Sequence, residues 1–176
     1  MATPIHTTRS QSHAYTRGVV YIHDAPKAFC KPIEWALAEV LDYEPSLQWT
    51  GQPIVPSRQR AEFAWTGVVG TGARLVAALQ QIPELRFEVT EEPTVSSEGE
   101  RYSVTPRLGI FRAHIGPQGD ILVNEQRIRT VLESATDVAA MQASLALLIG
   151  SAWDAELEPF RVAGEGTPVR YLHRVG

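Results

Sequence analysis

The stretch 17-RGVVYIHDAPKAFCKPIEW-35 runs from a β-type segment through a cluster of turn residues into a helical pattern, and its reading decides the fold. Val20 and Ile22 fall on one side of an alternating strand, with Val19, Tyr21 and His23 on the other. Asp24 is placed to cap the turn that follows, Pro26 has the fixed φ of a helix start, and Pro32, lacking a donor N–H, resets the beginning of the regular helix. Ile33, Leu37, Val40 and Leu41 then form an apolar stripe at helical spacing. His23, Asp24 and Cys30 also invite a catalytic reading, but a Cys–His pair needs an orienting third group, and neighbours on a strand end point in opposite directions. The stretch therefore reads as a strand passing into a helix, with Asp24 as its cap and the thiol packed.

Working outward, Leu47 and Trp49 alternate with polar neighbours in a short second strand, and GQPIVPS is a loop because its breakers are too dense for a strand interior. Arg60 to Thr66 is a third strand. Thr71 can cap a second helix marked by Leu75, Val76, Leu79 and Ile82. In LRFEVTEE the apolar Leu85, Phe87 and Val89 alternate with Arg86, Glu88 and Thr90, giving a fourth strand with Glu88 outward and Glu91 and Glu92 opening a polar loop. The order βαββαβ over about residues 17–91 is the split βαβ pattern of ferredoxin-like α+β domains, with both helices on one sheet face.

Residues from about 100 to 176 read as an elaboration. Arg101–Thr105 and Leu108–Ile115 are strands broken at Pro106, and the GPQGD turn leads to Ile121–Val123, so a β-meander is expected. A C-terminal helical pair follows: a short helix capped by Asn124, then a longer one capped by Thr136, carrying Val138, Met141, Leu145, Leu148, Ile149 and Ala152 and closed by Pro159. VAGEGTP is a spacer before VRYLHRVG, an edge strand or C-terminal arm. The expected organisation is a disordered tail over residues 1–14 and one domain over residues 15–176.

Composition narrows the function. The 176 residues are 44% hydrophobic and 20% charged, enough apolar side chain for a core without metal or disulfide staples. A net charge of −4 and the lack of a Lys/Arg run argue against nucleic acid as a partner. Cys30, the lone cysteine, has no thiol to pair with, and no signal-like segment opens the chain, so a reducing cytoplasmic setting is expected. The most apolar segment, Val138 to Trp153, is interrupted by polar residues and falls short of the roughly 20 apolar residues of a membrane span, so no membrane partner is expected.

Three groups carry candidate chemistry. Tyr21 and His23 on the first strand, with Arg112 and His114 on a later one, form a candidate ligand or partner surface. Gly70, Gly72 and Arg74 lie between a strand and a helix N-terminus, where free N–H groups and the helix dipole suit an anion; the loop matches neither GxGxxG nor a P-loop. The histidines lack HxH or HExxH spacing, so neither a metal nor a cofactor is expected, and no catalytic residue is assigned. Trp35, Trp49, Trp65 and Trp153 are read as core packing.

Taken together, RGVVYIHDAPKAFCKPIEWAL, LRFEVTEEP, ERYSVTPRLGIFRAHIGPQGDILVNEQRI and SAWDAELEPFR resemble an actinobacterial domain-of-unknown-function family of single-domain cytosolic proteins, from Tyr15 nearly to the C-terminus. The resemblance carries no catalytic residue, cofactor or ligand. It implies an accessory role near fatty-acid synthesis.

Two readings follow. The first is a non-enzymatic interaction or regulatory module, with a protein partner or a second copy on the open sheet face. The other is a small-molecule or acyl-group binding protein or enzyme, with Tyr21, His23, Arg112 and His114 in a pocket between the sheet and the C-terminal helices. Convergence of those four side chains separates the two.

Overall fold

The computed structural model describes residues 14–163. In chain order the elements are β1 (Tyr15–Pro26), α1 (Cys30–Leu41), β2 (Thr50–Gly51), β3 (Arg58–Val68), α2 (Thr71–Leu79), β4 (Arg86–Glu91), β5 (Gly99–Thr105), β6 (Gly109–Ile115), β7 (Ile121–Leu122), α3 (Glu125–Ser134), α4 (Val138–Leu148) and α5 (Ser151–Val162). The strands form one antiparallel sheet in the order β2-β3-β1-β4-β5-β6-β7, so the chain is a mixed α and β fold on a seven-stranded open sheet. Residues 1–13 and 164–176, which include most of the expected tail and the expected C-terminal arm, lie outside the described residues.

Register divides the side chains between two faces. Ile22 stands opposite Ala61 and Phe87, and Phe87 opposite Val104; Val20 stands opposite Val89, and Val89 opposite Tyr102. These residues share one face and one core with Ile33 and Leu37 of α1 and Leu75, Val76 and Leu79 of α2. Each fully buried Phe or Leu contributes about 1.5–3 kcal/mol of transfer free energy, so this layer dominates stability. Gly18 is required within it: a Cβ there would lie 1.8 Å from the carbonyl oxygen of Thr90 on β4.

The opposite face is also covered, which corrects the expectation of an open sheet face, although α1 and α2 do share one side. Tyr21, Glu88, Ser103 and Phe111 align across β1, β4, β5 and β6. Phe111 packs against Trp153 of α5, with ring centroids 5.4 Å apart, and Leu157 of α5 is fully buried. The expected long C-terminal helix breaks at Gly150 (φ 75°), so α4 and α5 meet at a 57° bend and α5 turns across the sheet. Pro159 does not close α5, which continues to Val162.

Several local expectations are corrected. Asp24 is a strand residue and caps no helix; α1 is preceded by Phe29, which makes no side-chain cap bond. The pairing of β1 shifts after Ile22 against both neighbours, a bulge that changes the alternation of side chains. In consequence His23 and Asp24 both reach the α5 side: His23 bonds Glu88, and Asp24 accepts from Arg86, whose guanidinium lies 4.9 Å from the Phe160 ring of α5. The second strand is only Thr50–Gly51 and excludes Leu47 and Trp49. The residue before α2 is Gly70 rather than Thr71, and α4 is capped by Asp137, which accepts from the Ala140 N–H, rather than by Thr136. Asn124 caps α3 as expected. Trp65 is buried, but Trp35 is 68% exposed and belongs to no core.

Candidate functional site

The bulge and α5 together build a buried charged cluster. Glu88, pointing away from the main core, receives His23 Nε2 at 2.7 Å, Arg161 Nη2 at 2.6 Å and Nε at 3.0 Å, Arg101 Nη2 at 2.9 Å and Ser103 Oγ at 3.0 Å. Asp154 of α5 accepts from Arg101 at 2.8 Å and Arg161 at 2.9 Å. Two carboxylates thus face two guanidiniums. Burial alone raises the Glu88 pKa, but hydrogen bonds and charge from His23 and Arg161 outweigh it and hold the carboxyl well below its ordinary range. Burial likewise works against the Arg161 cation, and Glu88 and Asp154 overcome it, so its pKa is raised.

This corrects the reading of Glu88 as a solvated outward acid. Its oxygens are occupied by five donor contacts, among them Ser103 Oγ and His23 Nε2, which both donate to it. A general base needs a lone pair free for the proton it takes. The cluster instead pins α5 to β1, β4 and β5.

The four candidate surface residues do not come together. Tyr21 and His23 are buried on the α5 face, their rings stacked with centroids 6.2 Å apart. Arg112 stands opposite Tyr102 and His114 opposite Glu100, on the face of the main core. There Arg112 pairs with Glu100, and its guanidinium lies 5.8 Å from the Tyr102 ring; His114 Nδ1 is 3.6 Å from Glu98. The sheet itself separates the two pairs.

At the candidate anion loop, the backbone N–H groups of Gly70 and Gly72 each donate to Glu91, both at 2.7 Å. The anion on this helix N-terminus is an internal carboxylate, and the expectation that Glu91 opens a solvated loop is corrected: it is buried. Arg74 faces away and donates to the Val40 carbonyl at 3.2 Å. Cys30 is held as the thiol, its pKa raised by burial and then by Glu34; His23, its notional partner, is bonded to Glu88.

The apolar segment from Val138 reads in sequence as a helix in the core or at an interface, and the structure lays its first part, α4, on the surface beside α3. No residue of α4 is buried, although Val138–Leu148 contains no charged residue. Val138 is 69% exposed and Leu147 59%, and Leu132, Ile149 and Ile128 extend the apolar surface. Among the described residues no single helix is long and apolar enough to cross a membrane. The signal was present in VAAMQASLALL: apolar residues on every side of the helix imply a second contact beyond the parent fold.

The model of the family described as "Protein of unknown function (DUF3145)" matches residues 19–174. The chain belongs to this family. The DUF3145 match takes in both faces of the sheet, the Glu88 cluster and the α3–α4 surface, and runs beyond the end of α5. No curated protein and no solved structure matches the chain.

Proposed function

We propose that this DUF3145 protein is a non-enzymatic interaction or regulatory module that binds a protein partner through the α3–α4 surface. One observation carries the reading: α4 is uncharged along its whole length, yet buries no residue in its own fold. Contiguous exposed apolar surface of this kind marks interaction sites in soluble proteins. The division of Tyr21 and His23 from Arg112 and His114 by the sheet supports the same reading over a shared pocket. We read the first four strands, ordered β2-β3-β1-β4 with α1 and α2 on one face, as a ferredoxin-like unit that serves as the platform. We read the module as cytoplasmic, actinobacterial and accessory to fatty-acid metabolism, which is what the resemblance noted above implies.

The test is photo-crosslinking in cells, with a photoreactive amino acid replacing Leu147 in the full chain and, as a control, replacing Lys31 on α1. A discrete higher-mass protein adduct from position 147 alone is expected. Its absence, or equal adducts from both positions, sinks the reading.

A further inference from the structure

The partner's identity follows from the charge and the residue order of α4, given the reading of the α3–α4 surface as a docking site. The chain carries a net charge of −4, so two copies repel each other over most approaches. The α3–α4 flank is largely exempt: α4 has no charge, on α3 Glu125 and Glu133 are balanced by Arg127 and Arg129, and the one unbalanced charge, Asp137, sits at the N-terminal end of α4, away from its midpoint. A twofold contact uses the same patch on both subunits, so the patch must be complementary to itself. A neutral helix meets that condition without any like-charge pair.

The order of exposed residues along α4 adds a register. Val138, Ala139, Gln142, Ala143 and Leu147 are exposed and recur at three- and four-residue spacing on one side of the helix. Ala139 and Ala143 allow close approach of a second backbone. Gln142 sits in the middle of the stripe, and its side chain carries both a donor and an acceptor, so an amide facing its own symmetry mate satisfies itself. With the axis near Gln142 and Ala143, an antiparallel partner sets Val138 and Ala139 of one copy against Leu147 of the other.

We propose that the occupant of this surface is a second copy of the same chain, bound through an antiparallel α4–α4 contact about a twofold axis near Gln142. A single polar pair inside an apolar helix seam is a recognised means of fixing register and partner number. Leu147 lies on the surface and makes no contribution to the buried core, so charging it acts on association rather than folding.

Sedimentation equilibrium of the full chain is the first measurement, with wild type and Leu147→Glu compared at equal concentration and their melting temperatures recorded alongside. Wild type is expected to be a dimer, and Leu147→Glu a monomer that melts like the wild-type subunit, with association weakened roughly a hundredfold or more because two carboxylates enter an apolar contact. The second is oxidation of Gln142→Cys in a Cys30→Ser background, expected to yield a covalent dimer, whereas Glu133→Cys in the same background stays monomeric. A monomer at every concentration, or a dimer unaffected by Leu147→Glu, overturns the proposal. A photo-crosslink from position 147 to a different protein, or to residues 164–176 of the same chain, also overturns it; the first of these leaves the docking surface itself intact, and no adduct at all removes both.

Discussion

Arg161 on α5 places its Nη2 2.6 Å from Oε1 and its Nε 3.0 Å from Oε2 of Glu88 on β4, a two-pronged contact between side chains 73 positions apart. Both residues are buried. The contact fixes where α5 crosses the sheet, and the α4–α5 bend then determines where α4 is displayed. A surface proposed to bind a partner is therefore oriented by a charge pair on the other side of the bend.

Replacing Arg161 leaves Glu88 buried with Arg101, His23 and Ser103 only. Breaking a buried ion pair by removing one partner costs about 3–5 kcal/mol. Arg161→Met is expected to fall at the lower end of that range because Arg101 remains. Arg161→Lys is expected to recover little, since an ammonium cannot reproduce the fork of a guanidinium. Urea unfolding monitored by circular dichroism measures both, and a loss under 1 kcal/mol for Arg161→Met refutes the anchoring role.

Glu88 also imposes a pH dependence. Its folded pKa is depressed, so its contribution is fully present above the ordinary value for an unfolded glutamate, about 4.3, and is lost as pH falls from there through the folded pKa. Wild type is expected to lose stability on acidification below about pH 5 more steeply than Glu88→Gln, whose own stability is lower at neutral pH but flatter with pH. Urea midpoints between neutrality and pH 3 decide this; parallel curves for the two proteins exclude Glu88 as the source.

What could be read in the sequence follows from how local the cause is. β4, β5 and β6 were legible because alternation is written within each strand, and α1 and α2 because their apolar stripes face one core. Glu88 obeyed the alternation, but its outward face is covered by a helix more than sixty residues later, which alternation does not encode. The Asp154, Glu158 and Arg161 spacing on α5 is a signal for that contact: Arg161 bonds Glu158 about one turn and Asp154 about two turns before it on the same helix side. Asp24 reads as a cap because strand residues before Pro26 resemble a helix start, whereas the bulge and the guanidiniums of Arg58 and Arg86 hold it in the sheet. The glycine loop reads as a place for an external anion, whereas its N–H groups donate to Glu91, an internal partner that depends on β4 ending beside α2.

The Glu91 contact predicts a specific pattern of coupling. Glu91→Ala removes two charge-assisted bonds to the first N–H groups of α2 and is expected to cost about 1–3 kcal/mol. Gly72→Ala places a Cβ 3.0 Å from Oε2 and 3.2 Å from the Cβ of Glu91, displacing the same carboxylate. The double variant is therefore expected to lose clearly less than the sum of the single losses. Additive losses in chemical denaturation would mean that Gly72 acts independently of Glu91.

The α4–α5 bend offers a comparison between two glycines. Gly109 and Gly150 both have positive φ, 73° and 75°. At Gly109 a Cβ meets nothing within 4 Å, so Gly109→Ala carries backbone strain alone, about 1–3 kcal/mol. At Gly150 the same Cβ would lie 2.5 Å from the Phe111 ring, which packs on Trp153. Gly150→Ala must add displacement of that ring to the same strain, and overpacking costs a further 1–3 kcal/mol or so. It is expected to be the more destabilising of the two and to change near-ultraviolet circular dichroism, because the Phe111–Trp153 contact moves. Equal losses with unchanged aromatic signal would show that Phe111 yields freely and that the bend is not held by this packing.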